Sequence, residues 1–381
     1  MITADRLGEV QEYYFSKKLR EVAELRKQGK PVINLGIGSP DLAPPVEVIE
    51  ALNEALTSNN AHQYQPYKGI NELREEIANF YDHFYGVSLD PENEILPLMG
   101  SKEGIMHISM AFLNKDDEVL LPNPGYPTYS SVSQLLEAKI RNYDLKDETN
   151  WLPDLEGLEK EDLSKVKLMW INYPNMPTGT RAPESFFEEI TAFAEKHKIL
   201  VINDNPYSFI QNSKPSSAIK KQNPSDYVME LNSLSKSFNM AGWRVGMLVG
   251  SRKNIDSVLR VKSNMDSGMF YPVQAGAVEA LKLKEDWFEK QNKIYSDRKK
   301  LVMQFLKELG CEADKDQAGL FVWAKVPAGK TSAEVVDELL YKYDIFTTPG
   351  FIFGSNGEGY VRLSLCASEN AINEALNRIK R

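Results

Sequence analysis

The residues with the clearest chemical potential lie in the stretch "SLSKSFNMAGWR", which runs from Ser233 to Arg244. In this stretch Lys236 stands among three serines, and Arg244 follows it eight residues later. Hydroxyl groups and cations at such spacing suit a bound anion better than a hydrophobic core. The ordinary explanation is a solvated surface lysine, because lysine is rarely buried. The alternative is an amine held beside an anion, where it could react.

Similar polar groups follow four other short apolar runs of the chain. In order, they are Ser101 and Lys102 after "LPLM", Tyr126 after "EVLLP", Asn175 after "LMWINYP", and Asp204 with Tyr207 after "ILVIN". Each group alone is explained by a helix cap, a turn or a packed loop aromatic. Because ligands of open parallel sheets bind at the carboxyl ends of the strands, the groups together predict a single crevice.

The chemistry that these groups share is a Schiff base between a lysine and pyridoxal phosphate. Lysine forms imines, and burial beside other cations lowers its pKa enough for it to react. An acid keeps the pyridine nitrogen protonated, and a stacked aromatic fixes the plane of the ring. Helix N-terminal amides, hydroxyls and an arginine hold the phosphate. We therefore predict that Lys236 carries this cofactor.

The elements that must position these groups are those of an α/β protein. From about Tyr64 to Gly250, short apolar runs alternate with helical patterns, which indicates a large domain with a mostly parallel, seven-stranded-type sheet flanked by helices. The rest predicts a smaller α+β domain, joined by one long helix from about Val273 to Leu309. We place the large cofactor-binding domain at residues 35–275. The small domain takes residues 1–34 and 276–381, with an N-terminal helix from about Leu7 to Gln28.

The composition argues against several classes of protein. The 381 residues can bury a large core, and a formal net charge of -9 disfavours nucleic-acid binding. Cys311 and Cys366 form neither a disulfide framework nor a metal-ligand spacing, so we expect no metal. The start "MITADRLGEV" lacks an apolar signal core, and no run reaches membrane-spanning length. We expect a cytoplasmic protein with no membrane insertion.

Nearly the whole chain resembles the class I/II aminotransferases, the aspartate-aminotransferase superfamily of pyridoxal-phosphate enzymes. The motifs that carry the resemblance are "YQPYKGINELR", "GSKEG", "PNPGYPTY", "NYPNMPTG", "DNPYSF", "SLSKSFNMAGWRVG" and "YVRLSL". Together they are far more specific than any one of them alone. The resemblance implies a homodimer with shared active sites, acting on an amino acid and a 2-oxo acid in amino acid metabolism and biosynthesis.

The resemblance also implies a role for each matching residue. Lys236 matches the lysine that binds the cofactor and shuttles the proton. Three residues match partners of the cofactor ring: Asp204 at the pyridine nitrogen, Tyr207 at the phenolic oxygen and Tyr126 stacked on the ring. Those matching phosphate ligands are Ser101, Lys102, Ser233, Arg244 and, in the neighbouring subunit's site, Tyr64. At the substrate end, Arg362 matches the clamp on the α-carboxylate, and Gly38 lies in the loop beside it.

One position departs from the family pattern. Relatives usually have an asparagine directly before "PTG" that bonds the phenolic oxygen, whereas this chain has Met176 there and Asn175 one residue earlier. Methionine offers no hydrogen-bond donor. Either Asn175 takes over through a local shift, or the oxygen loses one partner.

Three functions fit these motifs. The first is a pyridoxal-phosphate-dependent aminotransferase, and the alternative is a carbon-sulfur lyase of the same fold that catalyses β-elimination. The third is a regulatory cofactor-binding domain without turnover, for which the chain has no basic DNA-binding segment. Expected contacts to the substrate side chain come from "YYF" (Tyr13, Tyr14, Phe15), the "GIGSPD" loop and "SNMDSGMFYP". None of these stretches has an arginine for a second carboxylate, which favours a neutral or aromatic donor over aspartate.

Overall fold

The computed structural model describes residues 3–8, 14–219 and 223–380. The strands of this part are numbered along the chain: β1 (Ile33–Asn34), β2 (Ile95–Leu98), β3 (Glu118–Asn123), β4 (Lys139–Asp144), β5 (Val166–Ile171), β6 (Leu200–Asp204), β7 (Val228–Ser233), β8 (Gly246–Gly250), β9 (Phe321–Lys325), β10 (Ile345–Phe346), β11 (Thr348–Pro349) and β12 (Tyr360–Ser364).

The α-helices are numbered in the same way. They are α1 (Tyr14–Lys27), α2 (Val46–Ala55), α3 (Asn71–Tyr85), α4 (Ser101–Phe112), α5 (Pro127–Leu135), α6 (Leu155–Leu158), α7 (Glu184–His197), α8 (Leu234–Ser237), α9 (Arg252–Lys262), α10 (Tyr271–Leu281), α11 (Glu285–Glu308), α12 (Ser332–Tyr343) and α13 (Glu369–Ile379).

Seven strands form the central sheet, in the order β2-β8-β7-β6-β5-β3-β4. All neighbours in it are parallel except β8, which runs antiparallel to both β2 and β7. The strands β2, β6, β7 and β8 are buried along their full length, because helices cover both faces. The predicted seven-stranded α/β sheet is confirmed. The carboxyl ends of β3, β5, β6 and β7 meet at one edge, where polar side chains collect.

A smaller three-stranded antiparallel sheet, β11-β12-β9, packs with α11, α12 and α13. Helix α12 begins with a capping box, in which the Thr331 hydroxyl and the Glu334 carboxylate each bond the backbone N–H of the other residue. The short strand β1 pairs in parallel with β10. Helix α1 contacts the same unit, since Val22 clusters with Leu340 and Phe346. The boundaries assigned to the two domains remain a prediction.

Two elements differ from the sequence-based expectation. The long helix predicted from Val273 to Leu309 is two helices, because Lys284 adopts extended dihedral angles (φ -109°, ψ -172°). Helix α10 packs on α2 and α3, whereas α11 packs on α13 and β9, so the chain changes direction between two layers. The seventh strand, β4, is not one of the apolar runs identified from the sequence. It lies at the sheet edge, and most of its side chains are exposed or half-buried.

The N-terminal α-helix is described from Tyr14 onward, and the predicted start at Leu7 instead ends a short 3-10 helix, Asp5–Leu7. Residues 9–13, including Tyr13 with its expected contact, lie outside the described residues. Among the helices in the described ranges, none is both long enough and apolar enough to cross a membrane.

Candidate functional site

A cavity of about 390 Å³ opens at the carboxyl edge of the central sheet. Ten of the twelve residues named from the sequence line it: Gly38, Ser101, Lys102, Tyr126, Asp204, Tyr207, Ser233, Lys236, Arg244 and Arg362. They come from the carboxyl ends of β2, β3, β6 and β7 and from segments far apart in sequence. The sheet topology therefore brings the lysine, the acid, the aromatic groups and the arginines to one place, as the strand-end argument predicted.

Lys236 lies in the short helix α8, directly after β7. Its Nζ donates a hydrogen bond to the backbone oxygen of Gly38, at 2.5 Å. Burial lowers the pKa of the Lys236 ammonium below its usual value, and the cations of Arg362 and Arg244 lower it further. A lysine held in this way releases its proton more readily than a surface lysine, which an amine nucleophile requires.

Asp204 is the last residue of β6 and is buried. Its Oδ2 accepts a hydrogen bond from the Tyr129 hydroxyl at 2.8 Å, and its Oδ1 has no hydrogen-bond partner among the described residues. Burial raises the pKa of the Asp204 carboxyl to about 6, although the Tyr129 bond lowers it. An orphaned, buried carboxylate oxygen that faces a cavity is suited to a protonated ring nitrogen.

The start of helix α4 and the "SLSKSFNMAGWR" stretch form an anion cradle. Gly100 precedes the helix with a left-handed φ of 88°, and a Cβ there would lie 2.1 Å from Nη2 of Arg244. The glycine therefore lets the guanidinium approach the backbone at the helix N-terminus. Arg244 Nη1 donates to the Ser235 hydroxyl at 3.3 Å, and the Ser233 hydroxyl accepts from the Ser235 N–H at 3.1 Å. Amides, hydroxyls and a cation are thus gathered around one anion site.

Arg362 lies on β12 and is buried at the opposite end of the cavity. Its Nη2 donates to the Gly36 backbone oxygen at 3.0 Å, and its Nη1 contacts the Met176 sulfur at 3.1 Å. The guanidinium carbon lies 3.7 Å from the centre of the Phe321 ring and 4.7 Å from that of Phe353. Aromatic faces hold the planar group in place, where it could bind a carboxylate with two hydrogen bonds.

The loop that carries Gly38 is held at both ends. The Asn34 Oδ1 accepts from the backbone N–H groups of Gly36 and Ile37, at 2.9 and 3.1 Å. Asp41 accepts two hydrogen bonds from Arg298 of α11, at 2.7 and 2.8 Å. The loop geometry thus depends on backbone and charge contacts, and not on the side chain of Ile37.

Tyr207 is buried, and its pKa is raised well above the usual value, chiefly by burial. Its hydroxyl therefore keeps its proton and can donate a hydrogen bond into the cavity. Tyr126 lines the same cavity and meets Tyr129 edge-to-face, with 5.5 Å between the ring centres.

Asn175 and Tyr64 do not line the cavity. The Asn175 Oδ1 accepts from the Thr178 hydroxyl at 2.8 Å and from its N–H at 3.2 Å, so the side chain closes its own turn. Met176 lines the cavity in its place, and no local shift brings Asn175 to it. Tyr64 is 91% exposed and lines a separate cavity of about 1140 Å³ with Tyr67 and Arg74. Within one chain, therefore, Tyr64 is outside the Lys236 site.

Several lining residues were not found from the sequence. They are Tyr129, Asn172, Ser235, Phe321 and Phe353. Ser235 lay in the quoted serine-rich stretch, and Asn172 ends the run "KLMWIN", so a wider search of strand ends would have found both. Tyr129 lies inside α5 and stacks on Trp170 with 4.9 Å between ring centres. In the sequence, an aromatic residue within a helix suggests core packing and not a site. The two phenylalanines come from the small domain, whose placement the motifs do not reveal.

The side chains that line the cavity fit pyridoxal phosphate. The cavity joins a reactive lysine, an orphaned acid oxygen, a tyrosine donor and an anion cradle, and it has a separate arginine at the far end. This combination is the one expected for an enzyme that binds the cofactor covalently and orients an amino acid beside it.

Comparison with known proteins agrees with the fold. The family model "Aminotransferase class I and II" matches residues 30–379. An LL-diaminopimelate aminotransferase of Halothermothrix orenii is 42% identical over 382 residues, covering 100% of this chain and 98% of the relative. One of Aquifex aeolicus is 39% identical over 379 residues, covering 99% and 98%.

Solved structures give the same result. Substrate-bound BacF from Bacillus subtilis superposes with a TM-score of 0.95 at 35% identity, covering 100% of this chain and 97% of that one. A mutant aspartate aminotransferase of Thermus thermophilus has a TM-score of 0.91 at 26% identity, covering 99% and 98%. The chain belongs to the class I and II aminotransferase family. It is an aminotransferase, and aminotransferases of this fold depend on pyridoxal phosphate.

Proposed function

We propose that the chain binds pyridoxal phosphate covalently through Lys236 and transfers an amino group from an α-amino acid to a 2-oxo acid. The observation that carries the proposal is the single cavity that joins the Lys236 amine, the orphaned Asp204 oxygen and the Arg244 cradle. When bound, the cofactor supplies an electron sink for the carbon that loses its proton.

At the cofactor end, the roles follow from position. Asp204 would pair with the ring nitrogen, and its pKa, raised to about 6 by burial, would fall once a cation lies beside it. Tyr207 would donate to the phenolic oxygen, and Tyr126 would lie against the ring. Arg244 and the hydroxyls of Ser233 and Ser235, with Ser101 and Lys102 at the start of α4, would hold the phosphate.

At the substrate end, Arg362 would bind the α-carboxylate and so orient the α-carbon toward Lys236. The lowered pKa of Lys236 lets its Nζ accept the proton from the α-carbon, hold it, and return it to the product carbon. Gly38 lets its loop pack directly on the Phe321 ring, because a Cβ at this position would lie 2.0 Å from that ring. The names of the relatives suggest LL-diaminopimelate as one amino donor to test.

The test is chemical labelling of the lysine. Borohydride reduction of the cofactor-loaded protein should attach the cofactor to Lys236 alone, as read by peptide mass spectrometry, and Lys236→Ala should abolish transamination. Lys262 is the internal control, because it is buried but forms an ion pair with Asp266 at 2.8 Å. Labelling of Lys262 or Lys102 would contradict the assignment.

The lyase alternative uses the same cofactor but releases ammonia. The compared relatives are named as aminotransferases, which favours transfer. With an amino donor alone, the aminotransferase should convert its bound cofactor once and stop until a 2-oxo acid is added. A lyase would release pyruvate and ammonia continuously.

We further propose a homodimer in which Tyr64 reaches the partner's phosphate site. Tyr64, Tyr67, Met265 and Phe270 are exposed apolar residues, at 91%, 47%, 59% and 46%. The two segments that carry them are neighbours, since the His62 ring lies 6.0 Å from that of Phe270 and Lys262 Nζ donates to the Tyr67 backbone oxygen at 2.9 Å. We call these four residues the Tyr64 patch. An exposed apolar patch of this kind is typical of an interface, and light scattering should give twice the chain mass of 43.2 kDa.

A further inference from the structure

The cavity wall near Arg362 is mostly apolar. Its apolar members are Phe15, Ile37, Met176, Phe321 and Phe353. Three of these rings surround the guanidinium, whose carbon lies 3.7, 4.7 and 5.5 Å from the ring centres of Phe321, Phe353 and Phe15. The side chain of a bound amino acid would start from the α-carbon between Lys236 and Arg362. It would therefore point at or pass along this wall.

The charged residues of the cavity are all accounted for by the chemistry proposed above. Among the described residues that line it, they are Lys102, Asp204, Lys236, Arg244 and Arg362. Lys102 and Arg244 lie at the phosphate end, Asp204 serves the ring nitrogen, Lys236 is the reactive amine, and Arg362 serves the α-carboxylate. On the described part of the wall, no charged side chain is left for the far end of a substrate.

The physical consequence is a preference between donors. A charged group moved from water to an apolar wall loses its hydration without gaining a partner, whereas an apolar side chain gains from burial. LL-diaminopimelate carries an ammonium and a carboxylate at its far end, and glutamate carries a carboxylate. Phenylalanine, leucine and methionine carry none of these groups.

We propose that the amino donor preferred by this chain has an apolar or aromatic side chain, which contacts Ile37, Phe15 and Phe353. The proposal rests on the transamination proposed above and names the substrate class of that same site. It sets this chain apart from the donor that the names of the compared relatives suggest.

The first experiment measures kcat/KM for a panel of donors with one 2-oxo acid. The panel holds phenylalanine, leucine, methionine, glutamate, aspartate and LL-diaminopimelate. Conversion of the bound cofactor by each donor alone is followed by absorbance. We expect the best apolar donor to exceed the best charged donor at least about tenfold, since small side-chain differences in an apolar pocket produce such ratios.

A higher kcat/KM for LL-diaminopimelate, glutamate or aspartate than for every apolar donor would overturn the inference and leave transamination intact. Failure of every donor to convert the cofactor would overturn both. Absence of cofactor conversion thus contradicts transamination itself, whereas a different order of donors contradicts only the inferred substrate class.

The second experiment changes the wall at Ile37, which is 37% exposed and whose loop is fixed through backbone contacts. Ile37→Lys places a cation beside the substrate side chain. It should raise the ratio of glutamate to phenylalanine kcat/KM at least about tenfold, mainly through KM, because the far carboxylate gains a partner. Ile37→Met is the matched control of similar length without charge, and it should keep the order of donors. An unchanged ratio in Ile37→Lys, or an equal change in both variants, would contradict contact at this wall.

Discussion

At the scale of single residues, the site depends on charges that the fold removes from water. The pKa values of Asp204 and Lys236 are both shifted toward the neutral form, since burial raises the pKa of the acid and lowers that of the amine. A cationic ring nitrogen would reverse this balance for Asp204. The residues are thus set to respond to the cofactor.

Asp204 should make the stability of the cofactor-free protein depend on pH. Its folded pKa of about 6 lies above the ordinary value of about 3.9, so its stabilising contribution is present below pH 4 and is lost as pH rises through 6. A shift of about two pKa units corresponds to roughly 3 kcal/mol. The thermal midpoint of Asp204→Asn should therefore fall less than that of the parent between pH 4 and pH 7.

The control is Asp256→Asn, which changes a half-exposed carboxylate far from the cavity. It should follow the parent curve. If the thermal midpoint of Asp204→Asn also changed with pH as that of the parent does, burial of the Asp204 carboxylate would not affect the stability of the protein.

Met176 should leave the cofactor's phenolic oxygen with fewer donors than it has in relatives. Each donor stabilises the charge on that oxygen and weakens its hold on the shared proton. Met176→Asn should therefore lower the midpoint of the pH-dependent absorption change of the bound cofactor. One neutral hydrogen bond is worth about 0.5–1.5 kcal/mol, which gives a shift of roughly one unit at most.

Met176→Leu is the matched control, because it removes the sulfur that contacts Arg362 without adding a donor. Asn175→Ala should not move the midpoint, because Asn175 does not line the cavity: its Oδ1 accepts from Thr178, and its Nδ2 is buried away from the cavity without a partner among the described residues. A rise in midpoint in Asn175→Ala would show that Asn175 reaches the oxygen when the cofactor is present.

At the scale of elements, the start of α4 is the most constrained part of the cradle. Gly100→Ala puts a Cβ 2.1 Å from Arg244 Nη2 and also strains a left-handed φ of 88°. We expect a loss of about 1–2 kcal/mol of stability from the backbone strain. We also expect an increase of at least about tenfold in the dissociation constant of pyridoxal phosphate, because the guanidinium must move. Fluorescence titration of the cofactor-free protein measures the constant.

Gly86→Ala separates the two effects. Gly86 has a left-handed φ of 64° at the end of α3, but a Cβ there meets nothing within 4 Å. It should cost similar stability and leave cofactor binding unchanged. If both variants lost cofactor affinity equally, displacement of the Arg244 guanidinium would not be the cause of the loss.

The elements also show how far sequence reasoning reaches. The strands β5, β6 and β7 are almost fully buried and rich in apolar residues, so they were recognised, and their ends located Asp204 and Lys236. The edge strand β4 was not, because its exposed face carries polar residues. Asn175 was assigned to the site by motif, but side-chain direction within a turn is decided by local hydrogen bonds that spacing does not encode. Phe321 and Phe353 depend on how the small domain docks, which is a long-range property.

At the scale of the whole molecule, the proposed homodimer would leave one chain alone with an incomplete phosphate site. The hypothesis can be tested with mixed dimers of Lys236→Ala and Tyr64→Phe chains. If Tyr64 acts across the interface, the site on the Lys236→Ala chain of each hybrid carries both substitutions. The site on the Tyr64→Phe chain carries neither, because its partner supplies an intact Tyr64. Excess Lys236→Ala chains should then restore the cofactor affinity and activity of the Tyr64→Phe protein toward the parent values.

If Tyr64 acts within its own chain, the only site of the hybrid that keeps its lysine also keeps the Tyr64→Phe lesion. Mixing would then restore nothing, and the assignment to the partner's site would fail. The control is an excess of Lys236→Ala chains that also carry Tyr64→Phe, which should restore nothing in either case.

The chain builds the lysine half of its site from residues that are neighbours in sequence. Because β8 runs antiparallel to β7, the twelve residues between Ser233 and Gly246 turn back along the same edge and carry both Lys236 and Arg244. Short loops cost little entropy to close and form early in folding. We expect a refolding chain to form this half before the start of α4, with Ser101, packs against it. Lys236 would then be in position before the phosphate cradle is complete. Pulse-labelling hydrogen exchange that found β7 and β8 protected last would contradict this order of assembly.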